Sequence, residues 1–481
     1  MPSVKQETFR GVKWSAFEKF AVQGIQFFIG IILARLLSPS DYGVIGMHGI
    51  FLAVSQTFID SGFSSALIKK IDRTEDDYCT AFYFNIAIAV VCYSILFAIA
   101  PWVGDFFHTP ILCPVLRIQS LSLIINSLMA VQITKLTIDI NFKALSIRSI
   151  LSVVVSGVIA IILAFIGWGV WALVAQSLIA CVINLIFIWI YCKWIPRRPF
   201  SKKSFHDLFS YGSKILASGL INTIYSNLTT LVIGRKFTAT DLGEYNRGTS
   251  IPALPVNNLN NALQRVLFPI LSRFQNDTEQ LITYYRKYIR AVSMALFFIC
   301  CLIAAIGRPL VLFLLTSKWE SCIIYLQIFA FAIMFDHLSI INHTLLLAVG
   351  RSDLFLKLEL IKKPVYIAIL FAAIPFGVLG ICISKIISNQ AAIIMNTYYT
   401  GKLFKFGYLA QMKDFSPYLL YSILACLPAY LFTLLELSPL VSLLFGCLSA
   451  PFLYWLMLRQ NPYMIEIVNI VKNKFNGLIR K

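Results

Sequence analysis

Lysines inside apolar runs are the residues of this sequence with the most chemistry to offer. Lys362 and Lys363 stand in LELIKKPVYIAIL (Leu358–Leu370), with Pro364 beside them. A cation held away from water is costly, and is kept where it pairs, snorkels to a surface or serves a function. In the functional reading the pair holds an anion. In the others Glu359, three and four residues earlier, neutralises one lysine, or the side chains reach the membrane surface. Pro364 frees a backbone carbonyl and marks a kink. Lys385, in GICISKIISNQ (Gly380–Gln390), has Asn389 one turn later on the same face. It is either a further anion contact or a lysine near a helix end. Arg117 and Arg265 are candidates of the same kind. A phosphate would suit all of them, Lys as a point charge and Arg as a two-pronged donor.

A second set could move a proton or an ion. Asp336 and His343 are seven residues apart, and so share a helix face, with His337 and Asn342 beside them. A carboxylate near an imidazole exchanges protons at neutral pH, while the plainer reading is a pair of interhelical hydrogen-bonding groups. Asp60 with Gln56, and Glu18 with Lys19, are similar candidates. Arg35 with Asp41 and Arg235 with Asp241 sit where apolar runs end, as turn-fixing residues or as a gate. The eleven cysteines show no C-x-x-C spacing and lie mostly in apolar runs, so no metal or redox role is expected. No G-x-x-x-x-G-K-[ST] nucleotide loop occurs, and no cofactor is expected.

The elements that must position these residues are membrane helices. Of 481 residues 58% are hydrophobic and 13% charged, against about 45–50% and about 25% in soluble domains. The apolar residues come in runs of about 20, long enough to cross a bilayer as helices. Long unbroken runs such as Ile150–Ile166 exclude the alternation of a barrel strand. Fourteen spans are expected, from 14–37 to 440–458, including 246–268, 288–306, 323–347, 354–376, 378–400 and 416–436. The net charge of +19 is spread over short connections, which argues against nucleic acid as partner. Lys69, Lys70 and Arg73, Lys193 to Lys203, and Arg273 to Lys287 all fall on one set of connections, placing both termini in the cytoplasm. The basic tail from Asn461, with Ile465, Val468, Val471 and Phe475, reads as an amphipathic helix on the anionic inner leaflet. Connections this short leave no room for a soluble catalytic domain, which disfavours a membrane glycosyltransferase or ligase.

An internal repeat organises the chain. At an offset of 200, Ile32–Gly43 (ILARLLSPSDYG) aligns with Val232–Gly243 (VIGRKFTATDLG), and Arg35/Arg235, Asp41/Asp241 and Gly43/Gly243 are identical. Six helices separate the copies, so the expected layout is two parallel six-helix bundles, 1–205 and 206–401. Two extra helices and the tail follow in 402–481. Transporters built this way hold cargo between bundles that rock against each other.

LARLLSPSDYG (Leu33–Gly43), GEYNRG (Gly243–Gly248) and RVLFPILSRFQND (Arg265–Asp277), in this order and spacing, resemble the polysaccharide transporter family of Wzx-type flippases. That family is part of the multidrug/oligosaccharidyl-lipid/polysaccharide superfamily. The resemblance implies a non-enzymatic protein of the bacterial inner membrane. It would flip undecaprenyl-pyrophosphate-linked oligosaccharide from the cytoplasmic to the periplasmic leaflet for lipopolysaccharide or exopolysaccharide synthesis. The partners it implies are the lipid-linked oligosaccharide, membrane lipids, and polysaccharide polymerase and chain-length machinery. Coupling to a proton or sodium ion, or none at all, stays open. The alternative is a cation-coupled multidrug antiporter of the same superfamily, whose site would be acidic and aromatic rather than lysine-bearing.

Overall fold

Apolar runs mark where a helix meets hydrocarbon, but the helical backbone bonds do not stop there. The computed structural model describes residues 4–465 apart from Ser61 and Glu436, with the backbone alone for residues 4–13 and 16. The expected amphipathic tail lies almost wholly outside the described residues. Among the described residues every regular element is a helix, and twelve stretches are long and apolar enough to cross a membrane. The protein is an all-helical, multi-pass membrane protein.

The chain divides into two compact units, Met1–Gly243 and Glu244–Lys481. Unit 1 holds α1 (Val4–Leu36), α2 (Pro39–Asp60), α3 (Phe63–Lys69), α4 (Glu75–Phe106), α5 (Leu112–Gln119), α6 (Leu121–Ile138), α7 (Phe142–Phe165), α8 (Val170–Cys192) and α9 (Lys202–Lys236). α10 (Ala239–Arg273) begins in unit 1 and continues into unit 2. Unit 2 goes on with α11 (Thr278–Ala305), α12 (Gly307–Leu315), α13 (Cys322–Ile333), α14 (Asp336–Ala348), α15 (Ser352–Ala373), α16 (Gly377–Phe404), α17 (Tyr408–Thr433) and α18 (Pro439–Leu458). In the expected layout α9 opens the second repeat, and it packs within unit 1 against α2, α3 and α4.

Several helices overrun the expected spans. α11 begins at Thr278, ten residues before the apolar run, so Arg286 and Lys287 lie on a helix and not in a connection. α17 likewise begins at Tyr408. The longest connection between described helices is 193–201. The expected spans 354–376 and 378–400 form one apolar stretch, Ser352–Phe404, folded back at a 3-10 turn (Ile374–Phe376) and at Gly377 with φ 73°. That positive φ is a conformation glycine adopts without strain. α10 is 35 residues long but polar, with Pro252, Pro255 and Pro269 inside it, and it is not among the twelve apolar stretches.

The run 323–347 is also not one straight helix. It breaks at Met334–Phe335, between α13 and α14. Leu338 N–H bonds the Phe335 carbonyl instead of that of Met334, which leaves the Met334 carbonyl orphaned. The Nδ1 of His337 takes it up at 2.8 Å, and its Nε2 lies 2.7 Å from Ser293 Oγ on α11. A carbonyl can only accept, so Nδ1 carries the proton and Ser293 donates to Nε2. The buried His337 is therefore a repair of the helix break.

Unit 2 packs around Phe297, Phe335, Leu345 and Phe415. A buried polar knot lies within it. Asn342 Oδ1 accepts from Tyr285 OH at 2.9 Å and from Thr400 Oγ1 at 3.0 Å, and Asn342 Nδ2 donates to Gln411 Oε1 at 3.0 Å. All four side chains are fully buried and come from α11, α14, α16 and α17. Buried polar groups with their bonds made fix one arrangement of the helices that carry them.

Candidate functional site

Three helices of unit 2 carry five of the sequence-predicted site residues, Lys362, Lys363, Lys385, Asp336 and His343, on or beside one seam. Lys362 Nζ on α15 lies 2.6 Å from Glu359 Oε1 and 2.7 Å from Nε2 of His343 on α14. His343 Nε2 is also 3.0 Å from Asn396 Oδ1 on α16 and 3.8 Å from Glu359. The Lys362 side chain is 11% exposed and that of Glu359 30%, so the pair is largely withdrawn from solvent. The pairing open from the sequence is therefore realised at Lys362, and His343 joins it from a helix the sequence did not connect.

Further along the seam, Asn389 Nδ2 on α16 donates to Asp336 Oδ1 at 2.7 Å and to the Ala332 carbonyl at 2.8 Å. Lys385, one turn before Asn389, has its ammonium 5.4 Å from the centre of the Tyr366 ring on α15. Tyr366 lies one turn beyond Lys362 on the same face. The structure thus brings Lys362, Lys385, Asp336 and His343 onto one polar line between α14, α15 and α16. Asp336 and His343 belong to different clusters, and the carboxylate nearest the imidazole is Glu359. Lys363 is half-buried beside Lys362.

The remaining candidates lie elsewhere. Arg117 on α5 donates through Nε to the Phe97 carbonyl at 3.2 Å, with its guanidinium 4.4 Å from that ring. Arg265 is exposed on α10. Asp60 is exposed at the end of α2 and accepts from Gln56 Nε2 at 3.0 Å.

The duplicated turns have matching geometry. Ser38 N–H and Oγ–H donate to Asp41 Oδ2 at 2.9 and 2.7 Å, and Asp41 N–H donates to Ser38 Oγ at 3.2 Å. In the second copy Thr238 and Asp241 repeat these bonds at 2.9, 2.7 and 3.1 Å. Each is a capping box that satisfies free N–H groups at the start of a helix, α2 in one copy and α10 in the other. The two turns also touch. A Cβ at Gly43 would run into the Ala239 carbonyl, and one at Gly243 into the Pro39 carbonyl. The contact is reciprocal, 43 on 239 and 243 on 39, as the offset of 200 requires. Of the two arginines, Arg235 reaches the His108 ring and covers Phe106, and Arg35 lies in the last turn of α1. Asp41→Ala and Asp241→Ala are expected to lower stability equally, by about 1 kcal/mol each, read as matching shifts in thermal unfolding. Loss of transport with no such shift in either variant would assign that aspartate to a gate.

One charged cluster was missed from the sequence. Arg286 Nε and Nη2 donate to Asp414 Oδ2 and Oδ1 at 2.8 and 3.0 Å, and Arg290 Nε donates to Oδ1 at 3.0 Å, with a second contact through its Nη2. Two cations from α11 share one buried carboxylate on α17. Arg286 and Arg290 are one turn apart, which is a signal, but nothing local points to Asp414, 124 residues after Arg290.

Comparisons with known proteins agree with this architecture. The family described as Polysaccharide biosynthesis protein matches residues 32–324, more than half of the chain. The chain is 26% identical over 379 residues to the teichuronic acid biosynthesis protein TuaB of Bacillus subtilis (strain 168), covering 78% of each protein. It is 23% identical over 403 residues to the lipopolysaccharide biosynthesis protein WzxC of Escherichia coli (strain K12), covering 82% of this chain and 81% of that protein. Among solved structures, the lipid II flippase MurJ in an inward closed conformation is similar with a TM-score of 0.72 at 15% identity, over 93% of this chain and 99% of that one. An inward-facing multidrug resistance MATE family transporter of the MOP superfamily reaches 0.61 at 16% identity, over 81% and 95%. At such identities the solved structures speak for the fold. The family match settles membership, and the chain belongs to the family of polysaccharide biosynthesis proteins.

Proposed function

We propose that this protein flips undecaprenyl-pyrophosphate-linked oligosaccharide repeat units from the cytoplasmic to the periplasmic leaflet of the inner membrane, by alternating access through a cationic cavity. The observation that carries the reading is the row of lysines, Lys362, Lys363 and Lys385, set on transmembrane helices of a polysaccharide biosynthesis protein. The prenyl tail of such a cargo can stay in lipid while the pyrophosphate and sugars must cross, and an ionised group without partners is costly to bury. Ammonium groups within the membrane lower that cost by offering charge-assisted bonds where water is scarce. The membrane potential helps, by about 2.3 kcal/mol per negative charge moved outward per 100 mV. Arg117 and Arg265 are secondary contacts in this reading, and both termini face the cytoplasm. For ion coupling the seam offers Asp336 on Asn389 and His343 beside Glu359 as separate candidates, and Asp60 at the end of α2, outside the seam, is a third.

The test is leaflet-resolved flipping of the pyrophosphate-linked oligosaccharide in proteoliposomes. Protein-dependent transfer is expected, and replacing Lys362, Lys363 and Lys385 together by Gln should slow it at least about tenfold, since each charge-assisted bond contributes about 1.5–3 kcal/mol. Unchanged transfer at normal protein levels would end the cationic-cavity reading. A second reading, cation-driven drug antiport, draws on the acids Asp336 and Glu359 in the same seam and on the shared MATE fold. Proton- or sodium-driven movement of a cationic dye, with no lipid transfer, would favour it.

A further inference from the structure

The cargo-binding reading places Lys362 against the phosphate of the cargo, yet that lysine already has an anion. Glu359 Oε1 sits 2.6 Å from its ammonium, on the same helix and one turn away. His343 Nε2 lies 2.7 Å from the same ammonium, so among the described residues a carboxylate and an imidazole nitrogen already face it. A ligand anion that reaches Lys362 must therefore displace the carboxylate or bind against its charge. We propose that Glu359 is the specificity-determining residue of the site: it stands in for the cargo's phosphate and keeps singly charged phospholipid phosphates off Lys362, while a pyrophosphate displaces it. The inference rests on the reading that Lys362 contacts the cargo, and adds what the site selects for.

A cationic site open to a bilayer meets anionic phospholipids in far larger number than any lipid-linked sugar. A phosphodiester carries one negative charge, as does Glu359, so exchanging one for the other at Lys362 gains nothing and leaves a carboxylate stranded in a poorly solvated seam. A pyrophosphate carries more charge on more oxygens, and the adjacent Lys363 supplies a second cation. It can engage both lysines and so repay the released carboxylate, which stays within reach of His343, 3.8 Å away. Pairing of Glu359 with Lys362 thus works as a threshold on ligand charge.

The experiment measures binding of two probes, undecaprenyl pyrophosphate and phosphatidylglycerol, to the purified full-length protein. The wild type should prefer the pyrophosphate. Glu359→Gln should raise the affinity for phosphatidylglycerol by about tenfold and shrink the preference. Lys362→Gln should weaken pyrophosphate binding by a similar factor, and the double variant should match Lys362→Gln alone. If Lys362→Gln weakens pyrophosphate binding while Glu359→Gln leaves phosphatidylglycerol binding unchanged or weaker, the specificity role falls and the cargo contact stands. If Lys362→Gln changes neither probe, the cargo contact itself is wrong and the inference goes with it. Glu359→Asp keeps the charge and should keep most of the preference. Phosphatidylglycerol binding that rises as much in Glu359→Asp as in Glu359→Gln would trace the effect to packing and overturn the proposal.

Discussion

Gly43→Ala and Gly243→Ala should each remove most of the folded protein. In both cases the new methyl meets backbone, the Ala239 carbonyl in one and the Pro39 carbonyl in the other. A side chain could rotate away; a carbonyl at the first turn of a capped helix cannot. Overpacking a core costs about 1–3 kcal/mol when side chains can adjust, and backbone contacts on both turns put these variants at the upper end or beyond. Gly49, on the same helix as Gly43, is the control, because nothing lies within 4 Å of a Cβ there. Gly49→Ala should be neutral or stabilising by up to about 1 kcal/mol, as alanine is the better helix former. Yield and thermal unfolding in detergent test all three. A Gly43→Ala protein that unfolds like Gly49→Ala would mean that the two turns do not touch as described.

Asp414→Ala is expected to be the most damaging change to a charged side chain in unit 2. Its carboxylate is 3% exposed and receives both Arg286 and Arg290. Without it two guanidinium groups face each other with no counter-charge. Breaking a buried pair from one side costs about 3–5 kcal/mol. The arginines are 43% and 33% exposed, so solvent screens part of that and a loss of about 3 kcal/mol is expected. Arg286→Gln leaves Arg290 in place and should cost only about 1 kcal/mol. Removing Arg286 together with Asp414 should recover part of the loss, since the repulsion goes with it. Equal unfolding shifts for Asp414→Ala and Arg286→Gln would show that the carboxylate is not the shared anchor.

What could be read in the sequence was what is local. Runs of about 20 apolar residues gave the helices, though not their ends, because backbone bonding carries α11 and α17 past the hydrocarbon. The turn repeat was legible because capping needs Ser or Thr three residues before Asp, and that spacing survives in both copies. Glu359 with Lys362 was legible as neighbours one turn apart. Asp336 and His343 were legible as interhelical hydrogen-bonding groups, but not their partners. Seven residues put two side chains on one face but about 10 Å apart along the axis, so each found partners on other helices, Asn389 for one and Lys362 and Asn396 for the other. Those partners depend on how helices pack side by side, and no short-range pattern encodes that. The same holds for Asp414 with its two arginines.

The fold-back at Gly377 gives α15 a mechanical property. Measured along the helix, Lys362 lies fifteen residues from that turn, a lever arm of about 22 Å at about 1.5 Å per residue. A tilt of about 10° about Gly377 would carry the lysine end through about 4 Å, more than enough to part an ammonium from an imidazole 2.7 Å away. The cross-helix contact between Lys362 and His343 thus holds α15 about midway along its length, where even a small tilt moves the lysine by more than the contact distance. A ligand that took Lys362 away from His343 would release this tie, and the turn at Gly377 is where α15 would then be free to change its angle.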